Sequence, residues 1–144
     1  MAGRLSVKRL TASEIAEVLA NSDLFDEPPV YECTAEFLQS SERFLWIAYR
    51  GATACGFLSA SIYRHPDKPR ELFIHEMGVA ENARRTGVGT ALIGAARQAA
   101  RVANCANLWV LAETGDSRAD AFYSSIGCGR RSDARMFTWE IRKS

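Results

Sequence analysis

Counted from Val88, the residues Ala91, Leu92, Ala95, Ala96, Ala99, Val102 and Ala103 fall at +3, +4, +7, +8, +11, +14 and +15. That is the period of an α-helix and not of a strand. Arg97 and Arg101 point off this stripe, so the helix is amphipathic, and its alanine-rich face can lie close against a sheet. Residues 72–79 before it and 108–111 after it read as strands.

The rest of the chain supplies the other parts of such a sheet. Residues 4–10 read as a short strand, and Thr11 with Glu14 forms a capping box for a helix that carries Ile15, Val18 and Leu19 and ends near Asn21. Pro28-Pro29 halts regular structure, and a short helix follows over 34–40 with Phe37 and Leu38 as its apolar anchors. Residues 44–49 and 54–63 flank the turn candidate Arg50-Gly51-Ala52-Thr53 and read as an antiparallel hairpin. A last helix runs over 116–126, ended by Gly127, and the alternating segment 135–141 reads as the final strand. No repeat or long linker divides the 144 residues, so one domain over 1–144 is expected.

Composition narrows the class of function. With 18 basic and 17 acidic side chains, the net charge of +1 creates no global field for nucleic acid or an anionic membrane. Local asymmetry remains: residues 1–40 carry 3 basic and 7 acidic groups, and residues 84–144 carry 10 and 5. If both ends face one cleft, a cationic ligand part suits the first segment and an anionic part the last; a solvated mixed surface accounts for the same numbers. No stretch reaches the ~18–20 apolar residues of a membrane span, and the N-terminus lacks a signal-peptide core, so a cytoplasmic protein is expected. Cys33, Cys55, Cys105 and Cys128 contain no C-x-x-C pair and have only His65 and His75 to assist, so no metal site is expected and buried, reduced thiols are.

Chemistry concentrates in the loop that opens the long helix, Arg84-Arg85-Thr86-Gly87-Val88-Gly89-Thr90. A helix N-terminus presents unpaired N–H groups and the positive end of the macrodipole, and glycine removes the side chains that would obstruct an anion. The loop reads as a pyrophosphate cradle. It is neither a P-loop, since no Gly-Lys-Ser/Thr follows, nor G-x-G-x-x-G.

Arg84-x-x-Gly87-x-Gly89 resembles the Q/R-x-x-G-x-G/A motif with which the GNAT acetyltransferases bind the acetyl-CoA pyrophosphate. The strand Phe73-Ile74-His75-Glu76-Met77-Gly78-Val79 before it, Trp109-Val110-Leu111 after the helix, and Ala119-x-x-Phe122-Tyr123-x-x-x-Gly127-Cys128 stand in register with that superfamily, over about residues 54–129. The resemblance implies an α/β (α+β) fold: a central mixed, mostly antiparallel sheet of six to seven strands, flanked by about four helices. The sheet would be splayed between the strand ending at Val79 and that at Trp109, with the pantetheine arm of coenzyme A in the gap against Met77, Gly78 and Val79. The main chain of Thr86, Gly87, Val88, Gly89 and Thr90 would take the diphosphate, with Arg84 and Arg85 adding charge.

The same resemblance assigns roles to side chains. Glu76 is the candidate base for the attacking amine, a cation-binding role being its alternative; Glu113 is the second candidate, with substrate binding its task. Tyr123 matches the tyrosine that protonates the departing CoA sulfur, since a phenol of pKa near ~10 stays protonated until a thiolate of similar basicity appears. Phe122 packs. Asp116 stands seven residues before Tyr123, where many relatives use Asn to bond the cofactor arm, and Cys128 replaces the usual Phe after the helix-ending Gly. Arg130, Arg131 and Arg135 are candidates for the adenosine 3'-phosphate.

Within the superfamily, residues 72–79, 84–93 and 110–116, Met136-Phe137-Thr138-Trp139-Glu140 and Leu24-Phe25-Asp26-Glu27-Pro28-Pro29 are similar to the type I aminoglycoside 3-N-acetyltransferases. That implies a small polycationic amine substrate paired with Asp26, Glu27, Glu76 and Glu113. The alternatives are a polyamine, amino acid or peptide amine, and an acyl-CoA sensor without turnover. The alternating terminal strand offers a pairing surface for a homodimer.

Overall fold

A computed structural model describes residues 3–142. They group into two compact units, one up to Leu111 and one from Ala112 onward. The first unit holds β1 (Leu5–Arg9), α1 (Ile15–Ala20), α2 (Tyr31–Leu38), β2 (Arg43–Arg50), β3 (Thr53–Tyr63), β4 (Glu71–Val79), α3 (Val88–Val102) and β5 (Asn107–Val110). The second holds α4 (Ser117–Ser125).

The first unit is built on a mixed sheet in the order β1-β2-β3-β4-β5, antiparallel at every junction except the parallel pair β4–β5. Local signals explain most of the boundaries. Thr11 donates its N–H to Glu14 Oε1 at 2.8 Å, closing the capping box over a 3-10 turn that leads into α1. Gly51 turns the β2–β3 hairpin with φ of 61°. The helix expected over 34–40 starts earlier, at Tyr31, because Pro28-Pro29 stop short of it and the Val30 carbonyl already accepts from Thr34 N–H at 2.9 Å.

Two packed layers fix the sheet. On one face Leu10, Val18, Leu38, Leu45, Ile47 and Phe57 form a buried cluster that ties α1 and α2 to β2 and β3. On the other lies α3, as its period requires, with Val88, Leu92, Ile93, Ala96 and Ala100 buried. Its first turn comes very close: a Cβ built on Gly56 of β3 would stand 2.7 Å from Val88 Cγ1 and 3.2 Å from Leu92 Cδ1. Only glycine leaves room for that approach. A groove of about 550 Å³ also opens on this side, lined in part by Phe44, Trp46 and Val102, and no candidate site residue lines it.

Two expectations are corrected. The sheet has five strands among the described residues, not six or seven, because residues 135–141 lie outside any strand. Alternation gives a segment an apolar face, but a strand exists only when a neighbour supplies N–H and C=O groups. Of the cysteines, Cys55 is buried as read, whereas Cys33 and Cys128 are exposed. No helix among the described residues is long and apolar enough to cross a membrane.

Gly56→Ala should cost about 1–3 kcal/mol through overpacking, seen as a lower Tm. Because the tightest contact is with Val88 Cγ1, adding Val88→Ala should recover part of that loss, the Gly78 carbonyl oxygen at 3.1 Å and Leu92 Cδ1 at 3.2 Å keeping the rest, giving a non-additive double-mutant cycle.

Candidate active site

The cradle loop is held at both ends and open between them. Ala83 and Val88 are buried, whereas Arg84, Arg85, Thr86, Gly87 and Thr90 are exposed and Gly89 is half-buried. Thr86 Oγ1 donates to the Ala83 carbonyl, and Arg50 Nη2 donates to the Thr86 carbonyl at 2.9 Å. Gly87 caps α3 with φ of 92°, and a Cβ built there meets nothing within 4 Å. The bond from Ala91 N–H to the Gly87 carbonyl, 3.0 Å, is the first of the helix, so the N–H groups of Val88, Gly89 and Thr90 have no intrahelical acceptor. No acidic residue occupies this first turn. Positive helix end, unused donors and open space fit a diphosphate.

Beside the cradle the sheet parts. The β4–β5 ladder runs from Glu71 opposite Asn107 to Ile74 opposite Val110 and stops, while β4 continues to Val79 paired with β3 alone. Among the described residues, no strand pairs with the outer edge of residues 75–79. This is the splay the resemblance implies, and it leaves the Met77 to Val79 backbone able to accept an extended ligand as an added strand would be accepted.

A register shift decides where Glu76 points. Opposite residues of an antiparallel pair share a face, and Ser59 opposes Glu76 while Ala60 opposes Ile74, so His75 is one residue extra on β4. Without that bulge Glu76 would follow Leu72 and Ile74 onto the α3 face. With it, Glu76 shares the face of Ser61, Phe73 and Phe57.

That same face receives the segment carrying Asp26 and Glu27. Phe25 packs on Phe57 with ring centroids 4.0 Å apart, and a Cβ on Gly78 would stand 2.7 Å from the Leu24 carbonyl oxygen. Gly78 thus seats residues 24–25 directly on β4. Glu76 still reaches solvent, but partial desolvation raises its carboxyl pKa above the ordinary value, and the charges of Asp26 and then Glu27 push it the same way. Three carboxylates converge here.

His75 is a neighbour that sequence reading did not select. It bonds Ser61 Oγ through Nε2 at 2.7 Å, lies edge-on to Phe73 at 5.0 Å, and has its pKa lowered by desolvation. The signal was the strand itself: Leu72 and Ile74 are apolar and Glu76 is not, a break in alternation that marks a bulge.

Within the second unit, Asp116 caps α4, accepting from Ala119 N–H at 3.0 Å through Oδ1. Tyr123 is half-buried; desolvation first and the Asp116 charge second raise its pKa, so the phenol holds its proton. Phe122 packs edge-on against Tyr123 at 5.1 Å. Glu113 is exposed, and its carbonyl accepts from Asp116 N–H at 3.1 Å. Arg131 pairs with Asp120 at 3.4 Å, and Arg130 and Arg135 are exposed.

Residues 13–128 match the model of the acetyltransferase (GNAT) family, and the chain belongs to that family. It is an N-acetyltransferase with the mixed-sheet fold of that group. Among curated proteins none matches the sequence significantly. Solved structures do share the fold. The aminoglycoside acetyltransferase meta-AAC0020, from an uncultured soil metagenomic sample and seen with trehalose, is 20% identical over 96% of this chain and 97% of its own, with TM-score 0.87. AAC(6')-Iy, in complex with the bisubstrate analogue CoA-S-monomethyl-acetylneamine, is 18% identical over 97% and 99%, with TM-score 0.79. A ribosomal-protein-alanine N-acetyltransferase from Brucella melitensis biovar Abortus 2308 is 16% identical over 95% and 100%, with TM-score 0.72.

Two measurements check this geometry. In a ¹³C carboxyl titration Glu76 should protonate above the ordinary Glu range, and Asp26→Asn with Glu27→Gln should bring its midpoint down. Because the folded pKa lies above the unfolded one, stability falls as pH rises from the unfolded to the folded value, so Glu76→Gln should raise Tm at neutral pH. Gly78→Ala, which meets a backbone oxygen and a ring, should lift residues 24–25 off β4, read as weakened Overhauser contacts between Phe25 and Phe57.

Proposed function

We propose that this chain, acting as one catalytic domain over 1–144, moves an acetyl group from acetyl-CoA to a primary amine of an aminoglycoside by direct attack in a ternary complex. The observation that carries the reading is the convergence of Asp26, Glu27 and Glu76 beside the open edge of β4. Several carboxylates on one wall suit a substrate with several ammonium groups better than one with a single charge. The family match, which runs through both units, supports a single domain. Likeness in fold to aminoglycoside acetyltransferases supports the substrate class.

Acetyl-CoA, when bound, supplies an acyl group activated as a thioester. Val88, Gly89 and Thr90 hold its diphosphate through main-chain N–H groups, with Thr86, Gly87, Arg84 and Arg85 around them. Met77, Gly78 and Val79 align its arm by strand-like bonds, and Asp116 is the candidate for a further contact. Arg130 and Arg135 remain candidates for the adenosine 3'-phosphate.

Asp26, Glu27 and Glu113 bind ammonium groups of the acceptor. Glu76 takes a proton from the reacting amine, directly or through water; its raised pKa brings it nearer the pH at which it works and makes it a stronger base than an ordinary carboxylate. Tyr123 gives its proton to the sulfur as the thiolate leaves, and the raised pKa of its phenol keeps that proton available until then. No charge need remain on the departing group. Because acetyl-CoA is a cytoplasmic metabolite, the reaction is assigned to that compartment.

The motifs favour the 3-amino position, whereas AAC(6')-Iy carries the 6' position in its name. Likeness to the ribosomal-protein-alanine enzyme favours a second reading, a peptide amine. A thiol-release assay with acetyl-CoA against aminoglycosides, spermidine and peptides tests the choice, with product NMR reading the acetylated position. Aminoglycoside turnover is expected. Glu76→Gln should lower kcat by on the order of 10², and Tyr123→Phe should lower it with little change in KM. Turnover of peptides alone would reject the aminoglycoside reading, and CoA binding without any turnover would favour a sensor.

The acid limb gives an independent check. kcat/KM should fall as pH drops through the Glu76 pKa, beginning at higher pH than for an ordinary Glu, and Asp26→Asn should move that limb to lower pH.

A further inference from the structure

The residues on either side of Thr86 both take the left-handed backbone, Arg85 with φ of 62° and Gly87 with φ of 92°. A residue with a side chain rarely adopts that shape, and it persists where neighbouring groups hold it. One hold is local: Thr86 Oγ1 donates to the Ala83 carbonyl. The other comes from 36 residues away in the chain, where Arg50 Nη2 donates to the Thr86 carbonyl at 2.9 Å. Arg50 lies outside the motif that opens α3.

The sheet anchors Arg50 firmly. It ends β2, opposite Leu5 of β1 and Thr53 of β3, and is half-buried. Gly51 N–H donates to the Arg4 carbonyl at 2.9 Å, so the hairpin turn is tied to the residue that precedes β1. On the other side, Ala80 at the exit of β4 donates its N–H to the Cys55 carbonyl of β3, also at 2.9 Å. A three-stranded corner thus stands beside the cradle, and the guanidinium spans the space between them.

We propose that Arg50 is a positioning residue for the diphosphate of coenzyme A, acting through the Thr86–Gly87 peptide; the inference rests on the reading of residues 86–90 as the diphosphate cradle. The physical reason is direction. A trans peptide is planar, so its C=O and N–H point opposite ways, and no peptide here is cis. Holding the Thr86 carbonyl on Arg50 therefore turns the Gly87 N–H away from Arg50, and that N–H has no acceptor among the described residues. Glycine accepts either sign of φ, so without Arg50 this peptide is free to turn over. The Thr86 carbonyl oxygen would then stand where the Gly87 N–H stands, next in the chain to the donors of Val88, Gly89 and Thr90, and its negative end would repel a phosphate. Arg50 keeps an acceptor out of a site made of donors. Its charge suits the task, since charge-assisted hydrogen bonds are stronger than neutral ones.

Calorimetric titration of the full chain with coenzyme A, read together with ¹⁵N amide spectra of residues 86–90, tests the assignment without needing the acceptor. Arg50→Ala should raise the Kd for coenzyme A about tenfold, the scale of one hydrogen bond to a charged group. Arg50→Lys should recover most of that loss, and Arg50→Gln, which keeps a donor but not the charge, should fall between the two. Arg101→Ala removes the same charge from the last turn of α3 and should bind coenzyme A as the wild type does. In the unliganded Arg50→Ala protein the Gly87 amide signal should shift and broaden while the far-ultraviolet circular dichroism spectrum stays unchanged. Wild-type affinity in Arg50→Ala, or equal losses in Arg50→Ala and Arg101→Ala, would overturn the proposal and leave the cradle standing. Wild-type amides of residues 86–90 that do not move on adding coenzyme A would overturn the cradle reading, and the role of Arg50 with it.

Discussion

The seating of the first turn of α3 on β3 is the contact on which the rest depends. Val88 and Leu92 come so near Gly56 that no side chain fits between them. This close approach fixes where the helix begins and therefore where its unpaired N–H groups point. If the helix stood one side chain further from the sheet, the donors of Val88, Gly89 and Thr90 would move away from the sheet with it. The cradle is thus a product of packing as much as of its glycines. Gly87, with its left-handed backbone, turns the chain into the helix, and Gly56 leaves room for the first turn of that helix against the sheet.

A second close approach organises the face carrying Glu76 in the same way. Gly78 lets the backbone of residue 24 rest on β4, and the Phe25–Phe57 contact pins the segment there. Asp26 and Glu27 are then carried toward Glu76, whose carboxyl is harder to ionise for having them near. Folding tolerates this repulsion because all three groups reach water and the cost is screened. The raised Glu76 pKa and the concentration of negative charge on this face arise from one arrangement. Under the proposed function, a polycation bound there would offset the charge crowding, which would link substrate affinity to the protonation of Glu76.

Much of this was legible in the residues. The capping box at Thr11, the hairpin about Gly51, the start of α3 and the cap at Gly127 all follow from local rules, because each involves groups within a few positions of one another. The splay is one step removed, since it rests on the family motifs rather than on periodicity. The bulge at His75 was not drawn, although the apolar, apolar, acidic sequence at 72, 74 and 76 carries its trace. The tail shows the converse. Its alternation is as clear as that of any strand, but ladder partners lie far away in sequence, and pattern alone cannot supply them.

By itself the sequence carried the motifs of the family, the long helix with its glycine-bearing start, and the candidate groups Glu76, Tyr123 and the acidic pair Asp26 and Glu27. These depend on short-range spacing, which a chain carries wherever it folds. Tertiary structure alone decided that Glu76 turns to the face where the acidic pair is seated, and that the β4–β5 ladder stops at Ile74. Both are matters of register between strands distant in sequence, where a shift of one residue moves every side chain to the opposite face.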